Sequence, residues 1–337
     1  MADKRRDVKM KDTILLFIFG LLLLIKGGDW FVDAATGIAR RFHVPEFIIG
    51  ATVVAIGTTL PEVMVSATSA VEGHGEIAYG NAIGSVICNT ALIAALTVAI
   101  RPSKVDNSSF RAPVLFFFGT AAYYMLNAYI FRTFNRFVGI TLLVVFAAYL
   151  TYVIISAKKR RDLPEVKTED DGGDEKKEDD QPLFKCIVLL IIGAALIAIG
   201  ADLLVDKGTL IAQAMGVPES VIALTFVALG TSLPELATAI TALIKGHGSL
   251  SLGNIVGANL FNLVLVSGVS VTLSPFDVPV EKTIAGVNAS LLVDMPVMAL
   301  AMAVLTVPAL ISGKLSRWQG ILLLAVYSAF VVFQIAF

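Results

Sequence analysis

The chain has 337 residues, 56% of them hydrophobic and 16% charged, with a formal net charge of −1 at neutral pH. That balance excludes a soluble α/β enzyme, and with Lys and Arg gathered in a few connecting segments there is no basic face for nucleic acid. The two cysteines, Cys88 and Cys186, fall in apolar stretches; they support neither a disulfide framework nor a thiolate metal site and read as small buried hydrophobes.

A crossing takes about 20 apolar residues. Runs of that length predict helices at 13–35, 46–71, 77–100, 112–131, 136–157, 184–206, 218–244, 250–273, 283–308 and 317–337. The first run continues past the length of a secretory leader and meets Lys26-Gly27-Gly28-Asp29 instead of a small-residue cleavage site, so it is read as a spanning helix. The ninth contains Asp294-Met295-Pro296 and is expected to be tilted or kinked. The fold class that follows is all-α, a polytopic membrane protein of ten transmembrane helices.

Sliding the chain by 173 residues aligns 20–89 with 193–262 without a gap, and 29 of those 70 positions are identical. The chain is therefore two copies of one five-helix unit. Five crossings is an odd number, so the second copy enters the membrane upside down, and a site is expected near the midplane between the repeats. The domains are 1–157 and 184–337, separated by a connection over 158–183. That connection runs from Lys158-Lys159-Arg160-Arg161 into Glu169-Asp170-Asp171-Gly172-Gly173-Asp174-Glu175. It lacks the apolar residues for a core and the ligand spacing of an EF-hand, so it reads as a solvated linker. Lys and Arg are more numerous in the loops on its side, which makes the linker cytoplasmic by the positive-inside rule. The basic tail Lys4, Arg5, Arg6, Lys9 and Lys11 runs against that assignment.

Each repeat carries one signature, Gly57-Thr58-Thr59-Leu60-Pro61-Glu62 and Gly230-Thr231-Ser232-Leu233-Pro234-Glu235. A charged side chain near the bilayer centre costs about 2.5–3.5 kcal/mol on insertion scales, so two acids at matching depths call for a purpose. Proline has no amide hydrogen, so Pro61 and Pro234 are expected to free the carbonyls of Gly57 and Gly230 and to let the helix bend. With the hydroxyls of Thr58, Thr59, Thr231 and Ser232 this makes an all-oxygen pocket suited to a hard cation such as Ca²⁺. Two carboxylates balance one Ca²⁺ or two Na⁺, and protons should compete for them. The alternative, an acid at a helix N-terminus, fits Pro45-Glu46 and Pro218-Glu219, which follow loops. Glu62 and Glu235 come some 16 residues later, roughly 24 Å along a helix at about 1.5 Å per residue.

The following helices carry Gly80-Asn81-x-x-Gly84-Ser85-x-x-x-Asn89 and Gly253-Asn254-x-x-Gly257-Ala258-x-x-x-Asn262. Asn81, Ser85 and Asn89 form one polar stripe, and the amides of Asn89 and Asn262 offer neutral oxygens to a cation or orient a glutamate. Asp29, Asp33, Asp202 and Asp206 recur in register and read as interfacial acids paired with Lys26 and Lys207. His74 and His247 sit in Gly-His-Gly turns.

These two signatures, with the Gly-Asn-x-x-Gly-Ser/Ala-x-x-x-Asn segments after them, resemble the paired alpha repeats of the sodium/calcium exchangers of the cation/calcium antiporter superfamily, in their compact prokaryotic form. The resemblance covers essentially the whole chain. It implies a ten-helix inverted repeat that alternates access through movement of the first and sixth helices. It implies that Glu62 and Glu235 are carboxylates shared by Ca²⁺ and Na⁺, and that Thr58 and Thr231 add carbonyl oxygens to the calcium site. Thr59, Ser232 and Ser85 would be sodium ligands through hydroxyls, with the Ala55 and Ala228 carbonyls, and Asn89 would line the centre. The chain departs from close relatives at Ala258, where serine is frequent, and at Asn262, where aspartate is. The first puts one sodium site and the stoichiometry in question. The second argues against potassium dependence.

The expected function is secondary antiport of Ca²⁺ against Na⁺, with H⁺ or K⁺ coupling as the alternative and a cation channel as a different class. No enzymatic activity and no cofactor are expected; the transported ions are Ca²⁺ and Na⁺. Membrane lipid is the surrounding partner, one chain suffices for the site, and the expected location is a prokaryotic cell membrane.

Overall fold

A computed structural model describes residues 2–161, 182–215, 230–280, 283–284 and 286–336. Ten helical elements follow in order: α1 (Ala2–Phe42), α2 (Glu46–Val71), α3 (Gly75–Ile100), α4 (Asn107–Phe131), α5 (Arg136–Arg161), α6 (Leu183–Ala214), α7 (Leu233–Ile244), α8 (Gly248–Leu273), α9 (Ser290–Ser312) and α10 (Arg317–Ala336). Among the described residues nine of these are long and apolar enough to cross a bilayer, and α7 is shorter. The segment 216–229, with Pro218-Glu219 and Ala228, lies outside the described residues, as does most of the linker. Large apolar side chains cover the outside, among them Leu15, Leu22, Phe184, Ile311 and Ile321. Such a surface belongs against lipid tails. The protein is a multi-pass integral membrane protein.

Several boundaries differ from expectation, among them the start of α7 at Leu233 inside the predicted 218–244 helix. Helices α1 and α6 run past their apolar cores, α1 as far as Phe42, because hydropathy registers only the lipid-facing turns while Arg40 and Arg41 suit a helix C-terminus. A left-handed His43 then closes α1, with the Val44 amide bonded to the Ala39 carbonyl at 3.0 Å. Residues 283–284 and 287–288, expected inside the ninth helix, instead pair as antiparallel strands β3 (Thr283–Ile284) and β4 (Val287–Asn288), numbered after the antiparallel pair β1 (Thr133–Phe134) and β2 (Phe276–Asp277). Gly286 supplies the positive φ of the turn, and the Asn288 side chain accepts from the amides of Ser290 and Leu291 at 2.9 and 3.2 Å. That cap is what starts α9. The expected irregularity in α9 is a π turn over Ser290–Asp294 just before Pro296.

The inversion is written in the packing of α1 on α6. A Cβ on Gly20 would meet the Gly200 carbonyl at 3.0 Å, and one on Gly27 the Gly193 carbonyl at 2.9 Å; the same contacts hold in reverse from Gly193 and Gly200. Contacts that fall on one helix as they rise on the other define an antiparallel pair. Since Gly193 and Gly200 are the repeat twins of Gly20 and Gly27, each twin meets the other's partner, as a two-fold axis across both helices requires. Elsewhere α2 and α8 run parallel at close range: Gly50 lies against Leu250 and Asn254, and Gly257 against Ala51. Small residues here bring two backbones together without a side chain between them. The deepest packing, with Phe110, Phe117, Phe134, Tyr124 and Phe261 all buried, surrounds α3, α4 and α8.

Candidate cation site

The middle of the molecule is made by α2 and α3 of the first repeat and α7 and α8 of the second. Ala55, Thr58, Thr59 and Glu62 lie on α2, Ser85 and Asn89 on α3, Glu235 on α7, and Asn262 on α8; every one is buried, and both glutamates are 0% exposed. Ser232, in the turn that precedes α7, is buried as well, and Thr231 beside it is half-buried. Ala258 is also fully buried. Ala228, the remaining expected ligand, lies outside the described residues.

The two proline signatures fold differently. In the first repeat the helix continues through Pro61 without a break. In the second, Gly230 to Ser232 form a turn and α7 starts at Leu233, with Pro234 in the first helical positions and Glu235 in the first turn. The helix-start geometry set aside for both acids therefore holds for Glu235, because proline is tolerated where the helix has no amide to lose. The expected free carbonyl is not found at Gly230, whose oxygen accepts from the Leu233 amide at 3.3 Å. Glu235 consequently sits at a helix N-terminus pointing into the protein interior, where the dipole favours negative charge.

Burying a polar group without a partner costs about 1–3 kcal/mol, so unsatisfied buried groups mark the places where something else is meant to bind. Six side chains here accept or donate no hydrogen bond within the protein at the atoms concerned: the hydroxyls of Thr59 and Ser232, both oxygens of Glu62 and of Glu235, and the amides of Asn89 and Asn262. They are three pairs of repeat twins, 173 residues apart. The other unpartnered buried groups among the described residues, on Thr120, Ser251 and Asn259, have no such twins. Glu62 and Glu235 lie close enough for their charges to repel, and the hydroxyls of Thr58 and Thr59 stand beside the Glu235 carboxylate across the repeat boundary. A π turn begins at Asn89 in α3 and another at Asn262 in α8; such bulges re-aim side chains and are frequent at functional positions.

Other members of the site were not expected. The Cys88 thiol, read as a plain core residue, is buried beside the hydroxyls of Ser232 and Tyr327, within the field of both carboxylates; nothing local in its apolar run signals this. Cys186 is buried, as expected. Asn81 lies on the predicted stripe, but its amide is bonded to Ser66 and Thr231 instead of facing the unpartnered groups. The four acids also divide unexpectedly. Asp29 and Asp33 pair with Lys245, the residue that ends α7, at 3.4 and 2.7 Å, while Lys26 lies over the Trp30 ring; Asp206 pairs with Lys207 at 2.7 Å as expected. His74 and His247 cap α3 and α8 after glycines of positive φ, and His247 meets Glu46 at 2.9 Å.

The family model for sodium/calcium exchanger proteins matches residues 13–155 and 185–336. Similarity is whole-length: 31% identity to the sodium/calcium exchanger MaX1 of Methanosarcina acetivorans, over 95% of this chain and 97% of that one. An uncharacterized membrane protein of Methanocaldococcus jannaschii is 35% identical over 92% of this chain and 94% of its own length. The solved sodium-calcium exchanger NCX_Mj, soaked with Na⁺ and Sr²⁺, superposes with a TM-score of 0.77 at 32% identity, covering 96% of this chain and 99% of that one.

Proposed function

We propose, from the premise that this chain belongs to the sodium/calcium exchanger family, that it carries Ca²⁺ in one direction and Na⁺ in the other through a single central site opened to one side of the membrane at a time. The observation that carries the reading is the set of buried, unpartnered twins, Glu62 with Glu235, Thr59 with Ser232 and Asn89 with Asn262. Their oxygens are hard donors, and no imidazole stands among them. Ca²⁺ accepts about 6–8 oxygens in flexible geometry, and the paired carboxylates balance either one Ca²⁺ or two Na⁺. Either load neutralises the same two charges, so the loads exclude one another, which is the requirement for exchange. Thr58 and Thr231 turn their hydroxyls to Asn254 and Asn81, and their main-chain oxygens are the calcium ligands that the family resemblance implies. Ser85 and the Ala55 and Ala228 carbonyls complete the proposed sodium ligands, with Ala258 leaving the second repeat one hydroxyl short.

In this reading the halves 1–157 and 184–337 each supply one wall, the linker 158–183 is cytoplasmic, one chain is a complete transporter, and the host membrane is a prokaryotic cell membrane. The test is ⁴⁵Ca uptake into vesicles of purified protein loaded with Na⁺, K⁺ or H⁺. Uptake driven by internal Na⁺ alone is expected. Uptake that needs K⁺ or a proton gradient, or that proceeds without any opposing cation, would overturn it.

A further inference from the structure

Behind the unpartnered groups lies a second polar layer whose side chains are bonded to one another across the repeats. The Thr58 hydroxyl, on α2, donates to Asn254 Oδ1, on α8, at 3.2 Å. Asn254 in turn donates through Nδ2 to the Thr238 hydroxyl at 2.8 Å, and Thr238 donates to the carbonyls of Pro234 and Glu235, each at 3.0 Å. The mirror set exists. The Thr231 hydroxyl donates to Asn81 Oδ1 at 3.1 Å, and Asn81 Nδ2 donates to the Ser66 hydroxyl at 2.8 Å and to the Glu62 carbonyl at 3.4 Å. Each asparagine therefore grips the glutamate helix of its own repeat with its donor and the threonine of the opposite repeat with its acceptor. Asn254, Thr238, Thr58 and Ser66 are all buried.

Resting on the central-site reading above, we infer that Asn81 and Asn254 are positioning residues that brace the two half-sites against each other and fix the spacing at which a divalent ion can be held. The chemistry needs asparagine. Only an amide presents an acceptor and a donor on one short planar group; aspartate would lose the donor and set a third negative charge beside the two glutamates. The geometry also explains why the brace is crossed. Ca²⁺ requires both carboxylates at once at about 2.3–2.6 Å, one from each repeat, so its affinity depends on the distance between repeats. A Na⁺ held mainly by one repeat depends on it less. Cutting a brace should therefore raise the KM for Ca²⁺ more than that for Na⁺.

The experiment is a set of double-mutant cycles on the full chain in vesicles, reading KM for Ca²⁺ from Na⁺-driven ⁴⁵Ca uptake. Asn254→Ala, Thr58→Val, Asn81→Ala and Thr231→Val are each expected to raise the KM about three- to tenfold, the range of the one cross-repeat hydrogen bond that each of them removes. The crossed doubles Asn254→Ala/Thr58→Val and Asn81→Ala/Thr231→Val should be no worse than the more severe of their two singles. The uncrossed doubles Asn254→Ala/Thr231→Val and Asn81→Ala/Thr58→Val should multiply. Should Asn254→Ala not elute as a single species, the isosteric Thr238→Val replaces it, since it cuts the same chain one bond further back. Multiplication in all four doubles, or singles that lower the maximal rate with KM unmoved, overturns the brace. Glu62→Gln in the same assay separates the two readings: retained exchange there rejects the site itself, whereas lost exchange with multiplying crossed doubles rejects only the brace.

Discussion

Replacing Glu62 by Gln keeps the shape of a fully buried side chain and removes one of the two charges proposed to face an ion. Leaving the other half of a buried charge pair uncompensated costs about 3–5 kcal/mol, which at about 1.4 kcal/mol per decade is two to nearly four decades in Kd. Without an ion the sign reverses. Glu62 and Glu235 repel, so the ion-free variant should be at least as stable as the parent. A thermal unfolding series with and without Ca²⁺ reads both effects. The parent should gain stability as RT ln(1 + [Ca²⁺]/Kd), about 2.7 kcal/mol at a hundred times Kd, and Glu62→Gln should gain almost nothing at the same concentration while its ion-free midpoint holds or rises. Glu235→Gln should behave alike, because the two acids are twins. If either variant keeps the parent's Ca²⁺-dependent shift and its ⁴⁵Ca uptake, the two carboxylates do not share the ion and the charge argument fails.

Restoring the hydroxyl missing from the second repeat, by Ala258→Ser, should steepen or left-shift the Na⁺ dependence of exchange while the KM for Ca²⁺ moves less than about twofold; an unchanged Na⁺ curve rejects Ala258 as the missing sodium ligand. Protons compete for the same carboxylates, so lowering pH should raise the apparent KM for Ca²⁺ with the maximal rate recoverable at high Ca²⁺, and a fall in maximal rate alone would point to titration elsewhere. Gly27 packs directly on the Gly193 carbonyl, so Gly27→Leu should force α1 off α6 at about 1–3 kcal/mol. The check is the unfolding midpoint together with exchange rate, and a variant unchanged in both would show that the close approach of these helices is dispensable.

The architecture was legible because lipid imposes a coarse rule: apolar runs of spanning length, counted and found duplicated at 173 residues, dictate ten helices and, from an odd number per copy, inversion. The unpartnered twins were legible for the same reason, since a symmetric site leaves its mark at the same offset in both copies. What escaped the sequence is what symmetry does not repeat. Ser66 and Thr238 do the same work behind the two glutamates, yet Ser66 lies four residues after Glu62 and Thr238 three after Glu235, so sliding the chain on itself never pairs them. Cys88 has Phe261 as its twin and meets the site only through the packing of α3 against α7 and α10. The helix through Pro61 and the restart at Pro234 differ although the local sequences nearly coincide, so the difference must come from tertiary surroundings.

That division has a mechanistic reading. An ion held on a two-fold axis sees equivalent groups from both repeats, and a transporter built that way would have no preference between its two openings. The proposed ligand set keeps the symmetry except at Ser85 and Ala258, while the supports break it: Lys245 holds Asp29 and Asp33 of α1 from the end of α7, whereas its twin in the first repeat is Glu72, of the same charge as Asp202 and Asp206 on α6. One end of the molecule thus carries a lysine that joins α7 to α1, and the residue at the corresponding position of the other repeat has the opposite charge. On the proposed reading the binding groups select the ions, and the unequal supports around them are where a preference between the two openings would arise.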